Sequence, residues 1–505
     1  MTKLDLVIKN ATVIDGTGAE GYISDVGIKD GKIAKIGNGL EAEKTIDASG
    51  LILTPGFIDS HSHSDKSLIT FPDLAEKLEQ GITFSIGGMC GSSYTPIEVN
   101  GRLESVEEFF SKFEGISFGS GTAIVVGHNT IRRAVMGTVN RLATPEELEK
   151  MKTLLRDSLR AGAIGMSFGL FYTPGCYSSI EECIELARVV SEEGGLLTSH
   201  IRGEADNLLE SVEEYLKIIK ASGCRAVFSH HKSAEKQNWG KVKESIAMID
   251  RAIAEGYDIY LDVYPYTASS TTLLARFVPK KYHPEGTTRP VELLRNPETH
   301  KIIYDGEYAR WGNDISWTIV TGYNGHPEYE GLTVNEIAER EGKADNLEMA
   351  FEIIRQTEGT ARGCFFTMCE EDVEYVISHP RAMICTDSSV ACGKRQFHPR
   401  LRAAFIRALA KYTRDRGIVS LPEMIRKMTS LPAHVYGLGT KGVIREGMDA
   451  DICIFNYERL RDVADYKTPT LYNEGLEYVL VNGKVVVENN RHNLVKQAKL
   501  YKKIR

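Results

Sequence analysis

The chain has 505 residues, 42% of them hydrophobic and 26% charged, ordinary globular proportions with ample length for a large core. Lysine and arginine number 61 against 69 aspartates and glutamates, a formal net charge of −8 with no basic block, which argues against a nucleic-acid partner. No apolar run approaches membrane-spanning length, and the start Met1-Thr2-Lys3-Leu4-Asp5 has neither an apolar stretch nor a cleavage site of the signal-peptide kind.

The chain opens on strand-like runs. Leu6-Val7-Ile8 leads through Thr12-Val13-Ile14 to an Asp15-Gly16 turn, and two alternating runs flank Asp30-Gly31, so hairpins are expected here. Similar runs close the chain around Ile452-Cys453-Ile454-Phe455 and around an Asn482-Gly483 turn. The economical reading is one small β-sandwich domain built from both termini, residues 1–54 and 436–490, followed by a basic tail, 491–505, expected to be a solvated end.

Between them, short apolar strands alternate with amphipathic helices. Candidate strands are 56–61, 82–87, 122–127, 163–167, 196–200, 226–230, 258–263 and 382–386; helical patterns include 145–161, 180–193, 207–222 and 242–255. Eight strands with intervening helices predict an α/β fold, a (β/α)₈ barrel over 55–435. About 115 residues separate the last two strands, far above an ordinary loop, so an inserted subdomain is expected at about 267–345. Nine scattered cysteines, with no export signal, read as reduced thiols, and the expected compartment is the cytoplasm.

In such a barrel, chemistry sits at the C-terminal ends of the strands. His61 and His63 end the first, two apart, so on extended chain they share a face and can chelate a divalent metal; the plainer reading is two loop histidines. Cys90, in Gly87-Gly88-Met89-Cys90-Gly91, follows the second and is either a thiolate ligand or small core filling. His200 and His230 each end a short apolar strand; His231, next along, points to the opposite face, which favours His230. Asp387 ends Ala382-Met383-Ile384-Cys385-Thr386-Asp387, where it can move a proton for a metal-activated water or simply cap the turn at Ser388-Ser389. Each signal alone is weak, but five strand ends bearing ligand or acid types, in barrel order, point to a hydrolytic metal site.

These motifs resemble the amidohydrolase superfamily and, within it, the D-aminoacylase (N-acyl-D-amino-acid deacylase) family. The likeness runs through the His-x-His opening, Cys90-Gly91, His200-Ile201-Arg202-Gly203-Glu204, Ser229-His230-His231-Lys232, Asp262-Val263-Tyr264-Pro265-Tyr266, the block Asp387…His398-Pro399-Arg400 and Gly447-Met448-Asp449-Ala450-Asp451. It implies a tightly bound Zn²⁺ on Cys90, His200 and His230, a second, weaker site at His61 and His63, and Asp387 as general base and acid. It further implies that Arg400 binds the substrate carboxylate, with Lys232, Tyr264 and Ser270 lining the pocket, and that the substrate is a small N-acyl-D-amino acid. Ser62, Met89, Gly203 and Ser388 depart from the family pattern without removing a ligand. The nearest rival, a cyclic-amide hydrolase of the hydantoinase or dihydroorotase type, usually needs a bridging lysine on the fourth strand, where this chain has none. A non-catalytic scaffold would usually have lost ligands. The oligomeric state is not legible.

Overall fold

Seven of the eight central strands are buried along their whole length, among them Ile82–Gly87, Leu196–His200 and Ile259–Val263, and such strands are stable only when covered on both faces. The computed structural model, which describes residues 3–99, 102–390 and 398–503, supplies that cover by closing them into a (β/α)₈ barrel. Phe57–Asp59, Ile82–Gly87 and Gly121–Ile124 pair in parallel, and Val126–Gly127, Gly165–Gly169, Leu196–His200, Arg225–Phe228, Ile259–Val263 and Ala382–Ile384 continue the order. The third strand is interrupted at Val125, whose N–H still reaches Gly87 O at 3.0 Å. The ring shuts between its last and first strands, where Asp387 N–H donates to His61 O at 2.9 Å and Ser62 bridges Ser388 in parallel.

The helices outside the barrel start and stop on local chemistry. Pro145–Ala161 begins at Thr144, whose side chain and Glu147 cap each other, has proline at its first position, and ends at Gly162 with φ of 123°. Leu208–Ser222 ends at Gly223, whose left-handed φ of 69° costs a glycine little. Among the described residues no helix is long and apolar enough to cross a membrane.

Strands from both termini join in one nine-stranded sheet with a core of its own. Ile452–Phe455 pairs antiparallel with Ile52–Pro55, which continues through Leu6–Val13 and Tyr22–Lys29 to Lys32–Gly37. Two of the three expected turns, Asp30-Gly31 and Asn482-Gly483, have positive φ at both central residues, as a two-residue hairpin requires; at Asp15-Gly16 only the glycine does, and that connection is a longer loop between Leu6–Val13 and Tyr22–Lys29.

Two features differ from expectation. The insertion is longer than 267–345: Ser269–Thr272, Arg362–Phe365 and Thr318–Gly322 form a three-stranded antiparallel sheet, and the subdomain's core takes in Asn346–Gln356 and Phe365. Nor is the tail a solvated end. Ala498 exchanges hydrogen bonds with Phe118 at 2.8 and 2.9 Å, Tyr501 N–H donates to Thr122 O at 2.7 Å, and Lys503 N–H to Gly162 O at 3.0 Å. Backbone pairing, the burial of Ala498 and the partial burial of Tyr501 override the basic composition, and the tail floors the barrel at the entrance to its third and fourth strands.

Candidate active site

The C-terminal mouth of the barrel gathers the strand-end residues. Cys90 Sγ lies 3.2 Å from His61 Nε2 and 3.3 Å from His230 Nε2. The His200 and His230 rings meet edge to face with centroids 4.4 Å apart. Cys90, His200 and His230 offer ligand atoms all within 4.8 Å of one another; so does a second group, His61, His63, Cys90 and Asp387. His231 turns away, its Nε2 2.8 Å from Ser245 Oγ on the helix behind.

Three residues here hold positive φ without being glycine: Cys90 at 53°, His230 at 36° and Asp387 at 46°. Such backbone costs on the order of 1–3 kcal/mol per residue and survives only where surrounding structure enforces it. For Asp387 the enforcement is a buried network. Lys77 Nζ donates to Asp59 Oδ2 at 2.8 Å, to Thr386 Oγ1 at 2.7 Å and to Ser388 O at 3.2 Å, while Thr386 N–H and Oγ–H donate to Asp59 at 2.9 and 2.6 Å. For His230 it is Asp262, which accepts the His230 N–H at 2.6 Å and lies 3.3 Å from His61 Nδ1. Glu204 lies 3.1 Å from His230 Nδ1 and accepts from Lys232 Nζ at 2.6 Å, so the Nε2 side of His230 is the one turned to the cluster.

Both ring nitrogens of His200 are buried without a hydrogen-bond partner, an arrangement that is costly for polar atoms unless something else meets them. Burial lowers the pKa values of His200 and His63 to about 4, so both rings are neutral with lone pairs to give. Burial pushes the Cys90 thiol up and the His61 imidazolium beside it pulls the other way, the setting of a thiol that ionises when a cation arrives. Against burial, Arg400 above all holds Asp387 well below the usual carboxylate range, and His200 with Lys232 does the same for Glu204. The donor set, two imidazoles and a thiol with unspent lone pairs, fits a divalent ion of zinc's preferences.

Arg400 is buried 2.9 Å from Asp387 Oδ2, yet its Nε and Nη1 make no aligned hydrogen bond. His398 positions it, accepting the Arg400 N–H on Nδ1 at 3.2 Å with Nε2 2.9 Å from Ala268 O. The Tyr264 ring lies beneath both cations, 4.8 Å from the Arg400 guanidinium and 5.5 Å from Lys232 Nζ. Ser270, on the first strand of the insertion, lines two cavities that open on either side of Asp387.

A model described as the amidohydrolase family matches residues 44–294 and 317–487. The chain belongs to the amidohydrolase family. It is 35% identical over 499 residues to an N-acyl-D-glutamate deacylase of Alcaligenes xylosoxydans xylosoxydans, covering 96% of this chain and 94% of that one. A D-aminoacylase of the same organism is 31% identical over 498 residues, with 95% and 94% covered. Among solved structures, an N-acyl-D-glutamate deacylase from Bordetella bronchiseptica, complexed with zinc and a phosphonate mimic of the tetrahedral intermediate, superposes with a TM-score of 0.85 at 34% identity, covering 99% of this chain and 100% of that chain.

In this amidohydrolase all ten residues singled out in the sequence reach the mouth of the barrel. Sequence reasoning assigned no role to Glu204, Asp262, Asp59 or Lys77. Glu204 and Asp262 could have been found as acids at or just past strand ends, inside motifs already in view. Lys77 carried no signal, being one lysine on the four-residue helix Ala75–Leu78.

Proposed function

We propose that the chain is a metal-dependent hydrolase that cleaves the linear amide of N-acyl-D-amino acids to a carboxylic acid and a free D-amino acid. One observation carries the reading: Cys90, His200 and His230 converge beside Asp387, and Arg400 stands next to that acid with donors to spare. Cys90, His200 and His230 would hold one tightly bound Zn²⁺, and His61 and His63 a second, weaker ion. A zinc ion there supplies Lewis acidity, polarising the amide carbonyl and bringing the pKa of water toward about 7.

Asp387, ionised at neutral pH, takes the proton from the attacking water as its oxygen bonds to the acyl carbon. Lys232 and the un-ionised phenol of Tyr264 supply positive charge and a donor to the oxyanion. Asp387 then returns the proton to the amide nitrogen as the carbon–nitrogen bond breaks. Arg400 binds the substrate α-carboxylate through its planar guanidinium, whose Nε has no hydrogen-bond partner while Nη1 faces Asp387. The fourth strand, Gly165–Gly169, bears no lysine, which weighs against the cyclic-amide reading. The eight described cysteines are all free thiols, which supports a reducing cytoplasm.

The test is a panel of N-acyl-D- and N-acyl-L-amino acids and hydantoins assayed with added zinc. Turnover of the D-series is expected; turnover confined to hydantoins, or none on metal-loaded protein, would overturn the proposal.

A further inference from the structure

On the reading that Cys90 holds zinc, on which this inference rests, the thiol is the ligand least anchored by its own sequence. It sits on a loop past the strand Ile82–Gly87, with left-handed glycines before and after it, Gly88 at φ 84° and Gly91 at φ 72°. Nothing within so glycine-rich a run fixes where the sulfur points.

The barrel supplies what the loop lacks. The loop crosses the ends of the third and fourth strands over two positions without side chains: a Cβ at Gly127 would stand 2.3 Å from Gly91 O, and one at Gly169 2.0 Å from Cys90 O. On the same strand as Gly169, the fully buried Ser167 holds this backbone. Its Oγ accepts the Gly91 N–H at 3.0 Å and donates to Gly88 O at 2.5 Å, so one hydroxyl clasps the loop on either side of Met89 and Cys90. A second clasp comes from Asp65, buried just past His63: Oδ1 accepts the Gly88 N–H at 2.9 Å and Oδ2 the Tyr94 N–H at 2.7 Å. Met89, between the clasps, is buried with its sulfur accepting from Thr198 Oγ1 on the fifth strand at 3.3 Å. Asp65 belongs to neither group of ligand atoms at the mouth. With both ends of so short a span held by protein groups, Cys90 Sγ is kept 3.2 Å from His61 Nε2 and 3.3 Å from His230 Nε2, and ion binding need not order the loop.

We propose that Ser167 and Asp65 are the positioning residues of the Cys90 thiol, presetting the zinc site from outside its ligands. The test compares Ser167→Ala and Asp65→Asn, the latter isosteric but left with one acceptor oxygen, with the wild type. A control is Ser85→Ala, which alters a buried serine of the second strand whose Oγ has no hydrogen-bond partner. Zinc affinity is read by competition with a chelator, and the geometry at the thiolate by the sulfur-to-metal charge-transfer absorption of the cobalt-substituted protein. Each loop variant should bind zinc about 10- to 100-fold more weakly and shift or lose the cobalt band, while Ser85→Ala matches the wild type. Lowered urea stability with unchanged zinc affinity and cobalt spectrum marks a role in the fold alone and overturns the assignment of that residue; an equal loss of affinity in Ser85→Ala overturns both. Cys90→Ala separates this inference from the reading beneath it: if that variant binds zinc as tightly as the wild type, the thiol is no ligand and the metal site itself is misassigned.

Discussion

Lys77→Met is the sharpest probe of how the barrel holds its acid. Both Lys77 and Asp59 have 0% of their side chains exposed, and they lie 2.8 Å apart. At that separation and an effective dielectric of about 20 the gross attraction is about 6 kcal/mol, most of it offset by desolvation in the intact pair. Removing the lysine leaves the buried Asp59 without its cation, held by Thr386 and by the His61 N–H alone, and removal of one partner of such a pair costs about 3–5 kcal/mol. Thr386 and the Ser388 carbonyl also lose their ammonium donor, so the backbone that keeps Asp387 at positive φ slackens. A displacement of the acid by about 1 Å is expected to lower kcat on the order of a hundredfold. The assay is urea unfolding followed by circular dichroism on the wild type, Lys77→Met, Asp59→Asn and the double variant, with turnover measured alongside. The double variant should cost at least about 1 kcal/mol less than the two single changes together. Strictly additive losses, or a Lys77→Met loss below about 1 kcal/mol, would refute the reasoning.

Three further outcomes are expected. Metal analysis should find Cys90→Ala depleted of zinc, while Asp387→Ala keeps its metal and loses about 10²- to 10⁴-fold in kcat. Arg400→Ala should act mainly on KM, as a group that binds ground and transition states alike; a kcat effect as large as the KM effect contradicts that role. Lys427 gives a pH signature. Its side chain is buried among backbone carbonyls, and burial lowers its pKa to about 8. Between that pH and the ordinary lysine value the unfolded chain binds more protons than the folded one, so stability rises with pH through this window. The stability of Lys427→Met minus that of the wild type should therefore fall by about 2 kcal/mol from pH 7 to pH 10, measured by urea unfolding at each pH; a flat difference refutes it.

The barrel was legible because its signals are local. Pro145–Ala161 carries a cap, an initial proline and a terminal glycine in its own sequence, and strands buried on both faces read as continuous apolar runs. The far boundary of the insertion was not, since Asn346–Gln356 has the same amphipathic pattern as a barrel helix and only its packing against Phe277 and Phe365 assigns it. The strand Ser269–Thr272 has no alternation to recognise, being half-buried at every position. The tail was misjudged because backbone hydrogen bonds, which leave no mark on composition, hold it down. At the site, ligand-type residues at strand ends stood out, whereas Lys77 is indistinguishable in sequence from a solvated surface lysine. Its role arises only when Asp59 and Thr386, 327 residues apart, are brought together around it.

The pairing of Ile52–Pro55 with Ile452–Phe455 joins residues separated by most of the chain. At synthesis rates of about 5–20 residues per second, the first of these segments leaves the ribosome roughly 20–80 s before its partner exists. Throughout that interval the amino-terminal hairpins expose an edge whose proper neighbour has not been made, in a cell crowded with other unpaired strands. Residues 452–503 both complete this sheet and lay the floor of the barrel, so nascent chains that stop short of them should be far more prone to aggregate than the loss of so short a piece would suggest.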